Sequence, residues 1–105
     1  IDLHFDFHSF GQSRQTSHAL VTTDAWLQEA FVPLLETGPF RTVKRGFPGS
    51  IALYTAARHG AHSATFEISQ GRVGGETPRY VTIDDFRSTG VDFMKASYTL
   101  LEMVP

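Results

Sequence analysis

The sequence contains no cysteine, which excludes disulfide bonds and thiolate metal sites. Any bound metal ion would have to be held by His, Asp or Glu side chains. Long apolar runs are also missing, since none approaches the ~20 residues that a membrane-spanning helix needs. The first residues do not form the basic and apolar pattern of a signal peptide. We therefore expect a soluble, cytoplasmic protein with no membrane partner.

The chain has no excess of basic residues, because nine Lys and Arg stand against eleven Asp and Glu, for a net charge of −2. Without a basic face, nucleic acid is not an expected partner. The length of 105 residues and the hydrophobic fraction of 41% are typical of a globular domain. The whole chain, residues 1–105, is interpreted as a single domain or as a portion of a larger one.

The first eight residues alternate strictly between apolar and polar side chains. This period of two predicts a β-strand, whose successive side chains point to opposite faces. One face would carry four polar side chains: Asp2, His4, Asp6 and His8. The other would carry four apolar ones: Ile1, Leu3, Phe5 and Phe7. The polar face contains two Asp-x-His triplets, which are candidate metal-binding sequences.

The rest of the chain alternates between strand and helix patterns, which predicts an α/β layer structure. Further strands are predicted at residues 18–22, 40–44, 51–55 and 63–68, and loops at residues 9–17, 46–49 and 71–78. A helix is expected to begin at Thr23 or Asp24, to be interrupted by Pro33 and to end at Gly38-Pro39.

A capping box at residues 82–85 predicts the start of a final helix, in which Gly90 favours a break. The residues expected to line the inner face of this helix are Phe86, Phe93, Met94, Ser97, Leu100, Leu101 and Val104.

Three kinds of side chain in this sequence are suited to hydrolytic chemistry: a histidine at a strand end, Glu67 and Arg58. A histidine at a strand end can bind zinc while the Asp two residues earlier orients it, although a half-buried hydrogen-bonded histidine has the same pattern. Glu67 lies in the apolar strand ATFEI and is a candidate general base; the alternative is a salt bridge to Arg58 or Arg72. Arg58 can bind a substrate carboxylate or be an ordinary surface arginine.

Asp2-Leu3-His4, the strand around Glu67 and the segment YTAARHGAHSATFEISQG together resemble the succinylglutamate desuccinylase/aspartoacylase family, a branch of the zinc carboxypeptidase-like fold. In that family a zinc-binding His lies in an Asp-Leu-His string, and a catalytic Glu follows about sixty residues later. Glu67 is 63 residues after His4. The family's substrate-binding arginine precedes the Glu, as Arg58 does here with one residue fewer between them. The resemblance covers the C-terminal half of the family's catalytic domain.

The resemblance implies a mixed, mostly parallel sheet flanked by helices and a zinc-dependent hydrolysis of an amide bond in an N-acyl amino acid or a similar small carboxylate. Zn2+ would be the cofactor, with one zinc ligand and the catalytic Glu67 in this chain. The family's other two ligands come from a His-x-x-Glu motif that this sequence lacks. The implied partner is therefore an N-terminal half of the same domain that carries those ligands, and a homo-oligomer is left open.

The identity of the zinc-binding histidine also remains open. Asp6-Phe7-His8, followed by Ser9-Phe10-Gly11-Gln12, resembles the His-Ser-Tyr-Gly-Gln string of carboxypeptidases and would make His8 the ligand. The spacing to Glu67 favours His4 slightly. Two rival functions follow: a carboxypeptidase-type metallopeptidase, and a non-catalytic α/β interaction module in which the Asp-x-His triplets are structural.

Overall fold

The computed structural model describes residues 2–10, 16–37, 40–44, 50–69 and 71–105. In chain order the elements are β1 (Leu3–Phe10), β2 (His18–Val21), α1 (Ala25–Ala30), a 3-10 turn (Val32–Leu34), β3 (Phe40–Val43), α2 (Ile51–His59), β4 (His62–Ser69), β5 (Arg72–Val73), β6 (Arg79–Tyr80) and α3 (Ile83–Met103). Strands and helices are interleaved, so the predicted α/β class is confirmed.

Four strands form a mixed sheet in the order β1-β4-β2-β3. β1 is parallel to β4 and β2 is parallel to β3, whereas β2 and β4 are antiparallel. β5 and β6 form a separate two-stranded antiparallel sheet. β5 lies within the predicted loop at residues 71–78, and β6 directly follows it. β1 therefore lies at an edge of the main sheet, with β4 as its neighbour among the described strands.

The alternating pattern at the start of the chain and the run around Glu67 both form strands, as predicted. The predicted strand at residues 51–55 is wrong, because these residues are the first part of helix α2. A five-residue apolar run does not distinguish a strand from a buried helix. The flanking residues decide the matter here: Ser50 accepts a hydrogen bond from the Leu53 N–H, and Gly60 ends the helix with a left-handed φ of 64°.

Helix α1 begins as predicted, with the Asp24 side chain accepting a hydrogen bond from the Leu27 N–H at 3.1 Å. The regular helix ends at Ala30, and the chain continues as the 3-10 turn that contains Pro33. Proline lacks an N–H and its ring clashes with the preceding turn, which accounts for the interruption.

Helix α3 begins at the predicted capping box, in which Thr82 and Asp85 exchange side-chain and backbone hydrogen bonds. The helix runs through Gly90 without the expected break. Part of its predicted inner face is wrong, since three of those residues are exposed: Phe86, Met94 and Leu101. The buried residues are Thr89, Asp92, Phe93, Ala96 and Leu100. Two polar side chains turn inward because each has a partner there: Thr89 faces His18, and Asp92 accepts hydrogen bonds from Glu36 and Thr37.

The two faces of the main sheet carry different side chains. Phe5 packs against Phe31 of the α1 segment and Phe93 of α3, with ring centroids 4.9 Å apart in both pairs. Ser63 and Thr65 alternate with Ala64 and Phe66 along β4 and face a small cavity that α2 borders. The apolar core is therefore built on one face by α1 and α3, while α2 packs on the other.

Two predicted features lie outside the described residues: the turn at 46–49 and residues 11–15 of the first loop. The predicted helix end at Gly38-Pro39 is wrong, because the 3-10 turn ends at Leu34 and residues 35–37 are already non-helical. Within the described ranges, no helix combines the length and the apolar character that crossing a membrane requires.

Candidate functional site

His8 and Glu67 face each other across two adjacent strands. In the parallel pair of β1 and β4, His8 is the register partner of Glu67. Neighbouring strands lie about 4.8 Å apart, and register partners point to the same face of the sheet. Both residues lie near the carboxyl ends of their strands, which is the edge where α/β sheets usually bind ligands. The sequence alone does not reveal this juxtaposition.

His8 is held by the aspartate that precedes it by two residues. Its Nε2 atom lies 2.9 Å from Oδ2 of Asp6, on the same face of β1, and its side chain is 56% exposed. A carboxylate at Nε2 favours the tautomer in which Nε2 carries the proton and Nδ1 offers its lone pair. Metal-binding histidines commonly have such a carboxylate on the second ring nitrogen. The Asp6–His8 pair therefore has the donor chemistry of a zinc ligand.

His4 lies farther from Glu67. Its register partner on β4 is Ser63, four residues before Glu67, which corresponds to about 13 Å along a strand. Its Nδ1 atom is buried and lacks a hydrogen-bond partner in the described part of the chain. The structure thus brings His8, and not His4, beside Glu67.

Glu67 is half-buried and lies between two neighbouring strands, with His8 on one side and Ala19 on the other. The predicted alternative of a salt bridge to Arg58 or Arg72 is not formed, since the ion pairs between described residues do not include Glu67. Within the described ranges, its carboxylate therefore has no ion-pair partner that would assign it a structural role.

Arg58 is in the last turn of α2 and is exposed. Gly60 and Ala61 alone separate α2 from His62, the first residue of β4, so Arg58 lies near the amino end of that strand. Glu67 is five residues farther along, which corresponds to about 16 Å. The helix at residues 51–59 therefore keeps these two predicted site residues apart.

At the amino end of β4, an Asp–His pair that the sequence did not predict joins two distant segments. Nδ1 of His62 lies 2.6 Å from Oδ2 of Asp24, and the Trp26 ring packs on the imidazole with centroids 4.3 Å apart. Asp24 was predicted as a helix cap, and it performs both roles by using one carboxylate oxygen for each. No local pattern links positions so far apart in sequence.

In the described ranges, no group of three or more His, Asp or Glu side chains is placed so that it could hold a metal ion. Comparison of the chain with models of protein families, with curated protein sequences and with solved structures finds no match.

Proposed function

We propose that this chain is part of a zinc-dependent hydrolase of amide bonds, in which His8 is one zinc ligand and Glu67 is the catalytic base. The observation that carries the proposal is the register pairing of these two residues near the carboxyl ends of β1 and β4. The proposal also includes the finer fold assignment, a zinc carboxypeptidase-like domain of which this chain is the C-terminal portion.

The donor set around His8 supports the choice of ligand. Asp6 engages Nε2 and leaves Nδ1 for the metal ion, whereas His4 is too far from Glu67 to share a site with it. Bound Zn2+ would supply Lewis-acid chemistry, polarising the scissile carbonyl and increasing the acidity of water. Asp6 would then be a positioning residue that fixes the orientation and tautomer of the ring.

Glu67 carries the proton transfers in this proposal. Its carboxylate accepts a proton from the attacking water, whose oxygen forms the new bond to the carbonyl carbon. The same proton then passes from Glu67 to the nitrogen of the leaving amine as the C–N bond breaks. The products are a carboxylic acid and an amine, and Glu67 is again ionised.

The proposed substrate is an N-acyl amino acid or a similar small carboxylate. A carboxypeptidase-type activity is the second candidate, because the ligand favoured by the geometry, His8, belongs to the string that resembles carboxypeptidases. We do not include Arg58 among the substrate-binding residues, because it lies near the opposite end of β4 from Glu67. The two candidates are separated by assaying the native protein with both substrate classes. Hydrolysis of N-acyl amino acids would support the first, and release of C-terminal residues from peptides would support the second.

A catalytic zinc site usually takes three protein ligands. We propose that the other two, a His-x-x-Glu pair, are supplied by polypeptide outside this sequence. β1 carries His8 and lies at the edge of the sheet that the described strands form, and the edge of a sheet can accept a further strand. Since Glu67 is on one side of β1, we propose that those ligands approach from the other side.

The test is the zinc content of the native protein, measured by mass spectrometry, together with amide hydrolysis. We expect His8→Ala to abolish near-stoichiometric zinc and His4→Ala, the matched change on the same face of β1, to retain it. Glu67→Gln should retain zinc and lower kcat by about 10²- to 10⁴-fold.

Two results would contradict parts of the proposal. Loss of zinc in His4→Ala with retention in His8→Ala would make His4 the ligand. A native protein that binds no zinc when zinc is supplied would rule out the hydrolase and favour the non-catalytic interaction module.

A further inference from the structure

The ladder between β2 and β4 ends at the residue proposed as the base. Its register pairs are Val21 with Thr65, Leu20 with Phe66 and Ala19 with Glu67. Beyond this point the backbone N–H of Ser69 donates a hydrogen bond to Nδ1 of His18 at 3.0 Å. An imidazole therefore takes the place of a backbone acceptor two residues after Glu67.

This hydrogen bond requires a neutral His18 ring. A backbone N–H can donate only to an unprotonated nitrogen, so Nδ1 carries the lone pair and the ring proton is on Nε2. Nε2 lies 3.4 Å from Oγ1 of Thr89 on α3. His18 is thus bonded to the end of β4 on one side and faces α3 on the other.

The surroundings of His18 also favour the neutral form. The residue is only 5% exposed, and the rings of Phe40 and Phe66 lie against it with centroids 5.2 and 6.0 Å away. Burial lowers the pKa of His18 below its ordinary value, and the negative charge of Asp85 opposes that shift only in part.

The charged groups that border His18 do not provide a free counter-ion. A cavity of about 200 Å3 is lined by His18, Arg79 of β6 and Asp85 of α3. Arg79 and Asp85 are paired with each other, with Nη1 of Arg79 2.7 Å from Oδ2 of Asp85. Among the described residues that line this cavity, Asp85 carries the one carboxylate, so a protonated His18 would have to compete with Arg79 for it.

We propose that neutral His18 is a positioning residue for Glu67, and that protonation of its ring releases the end of β4 and lowers activity in acid. This inference rests on the proposed function. Protonation converts Nδ1 from an acceptor to a donor facing the Ser69 N–H, so the hydrogen bond breaks. Glu67, two residues earlier on the last rung of the β2–β4 ladder, then loses this anchor on the β2 side of its strand, while the pairing with β1 on the other side remains.

Two substitutions separate positioning from packing. His18→Leu removes the acceptor, whereas His18→Asn offers an amide oxygen in a similar place and does not titrate. With the native zinc protein we expect His18→Leu to lower kcat by about 10- to 100-fold with KM nearly unchanged. His18→Asn should restore most of kcat at neutral pH and extend activity to lower pH. His62→Leu, a matched change at the other end of β4, should leave the pH profile of kcat unaltered.

Amide hydrogen exchange gives a readout that does not depend on turnover. The protection factor of the Ser69 amide, corrected for the intrinsic effect of pH, should fall in the wild type as pH is lowered through the pKa of His18, which burial holds below its ordinary value, and stay constant in His18→Asn. If the wild type neither binds zinc nor hydrolyses amides, the proposed function fails. The exchange result still tests whether protonation of His18 breaks its hydrogen bond with the Ser69 N–H. A folded His18→Leu variant with wild-type kcat and pH profile, or pH-independent protection of Ser69 in the wild type, would overturn the inference.

Discussion

Asp92 is buried, and its carboxylate connects two segments of the molecule. It is 6% exposed on α3, and its carboxylate accepts hydrogen bonds from the Glu36 N–H at 2.9 Å, the Thr37 N–H at 2.8 Å and the Thr37 hydroxyl at 2.6 Å. Burial alone would raise the pKa of Asp92, but the hydrogen bonds from Thr37 and Glu36 outweigh it and hold the pKa below the ordinary value. Asp92 thereby joins the segment after the 3-10 turn to α3.

Replacement of Asp92 by Ala should reduce the free energy of unfolding by about 3 kcal/mol at pH 7, because partly buried donors of Glu36 and Thr37 lose a charged acceptor. The matched change Asp84→Ala, at an exposed position of the same helix, should cost about 1 kcal/mol or less. Urea unfolding measures both differences. Equal effects of the two substitutions would contradict the assigned role of Asp92.

The stabilisation by Asp92 should also depend on pH. Because its pKa is lower in the folded than in the unfolded protein, the stabilisation is complete above the unfolded pKa of about 3.9 and is lost as pH falls through the folded pKa. The difference in unfolding free energy between wild type and Asp92→Ala should therefore narrow below about pH 4. If the difference in unfolding free energy between the two proteins stayed constant or widened in acid, the lowered pKa of folded Asp92 would be contradicted.

Among the helices, the conformation of the residue at a helix end determines where the helix stops more than the helix propensity of a residue in its interior does. Gly60 has a φ of 64° and its N–H bonds to the carbonyl of Ala56, which ends α2 and turns the chain into β4. Gly90 lies inside α3, which continues through it. The contacts of Phe93, Ala96 and Leu100 with the core outweigh the cost of about 1 kcal/mol that a glycine brings to a helix.

The two glycines provide a matched pair of substitutions, because a Cβ at either position would lie within 4 Å of no described atom beyond its chain neighbours and its own helix backbone. Gly90→Ala should stabilise the protein by about 0.5–1 kcal/mol, since alanine favours the helix. Gly60→Ala should destabilise it by about 1 kcal/mol, because a side chain is strained at positive φ. Thermal unfolding monitored by circular dichroism measures both shifts. Changes of the same sign would show that backbone conformation is not the deciding factor.

At the scale of the whole molecule, one aromatic cluster joins the sheet to its helices. The Phe93 ring of α3 lies 4.9 Å from Phe5, 5.0 Å from Phe31 and 4.6 Å from Phe66, measured between centroids. It thus contacts β1, the segment after α1 and β4. This face of the sheet is consequently stabilised by one side chain that reaches all three elements.

Phe93→Ala should therefore lower the free energy of unfolding by about 3–5 kcal/mol, a large share of the 5–15 kcal/mol typical of a domain. Phe86→Ala on the same helix is the control; that ring is 43% exposed and its removal should cost about 1 kcal/mol or less. Denaturant titrations of both variants test the prediction. A larger loss of unfolding free energy in Phe86→Ala than in Phe93→Ala would contradict this prediction and would indicate that Phe86 is on the inner face, as the sequence predicted.

Local patterns were sufficient for much of the secondary structure. The alternation in residues 1–8 predicted β1, Asp24 and the Thr82–Asp85 box predicted helix starts, and Pro33 predicted the interruption after α1. Each of these signals depends on neighbours a few residues away. The strand predicted at residues 51–55 is wrong because a short apolar run has no period that distinguishes a strand from a helix. The residues that indicate a helix are its caps, Ser50 and Gly60, which lie outside the run.

Local alternation was sufficient to predict which side chains share a face of β1, because the side-chain period of a strand is two. It placed His4 and His8 on the same face, and the spacing to Glu67 favoured His4 only slightly. Three features follow from the long-range contacts of the fold: Glu67 lies beside His8, Arg58 lies near the opposite end of β4, and Asp92 and His18 are buried with partners. Strand register and long-range hydrogen bonds join residues distant in sequence, and no local periodicity contains them.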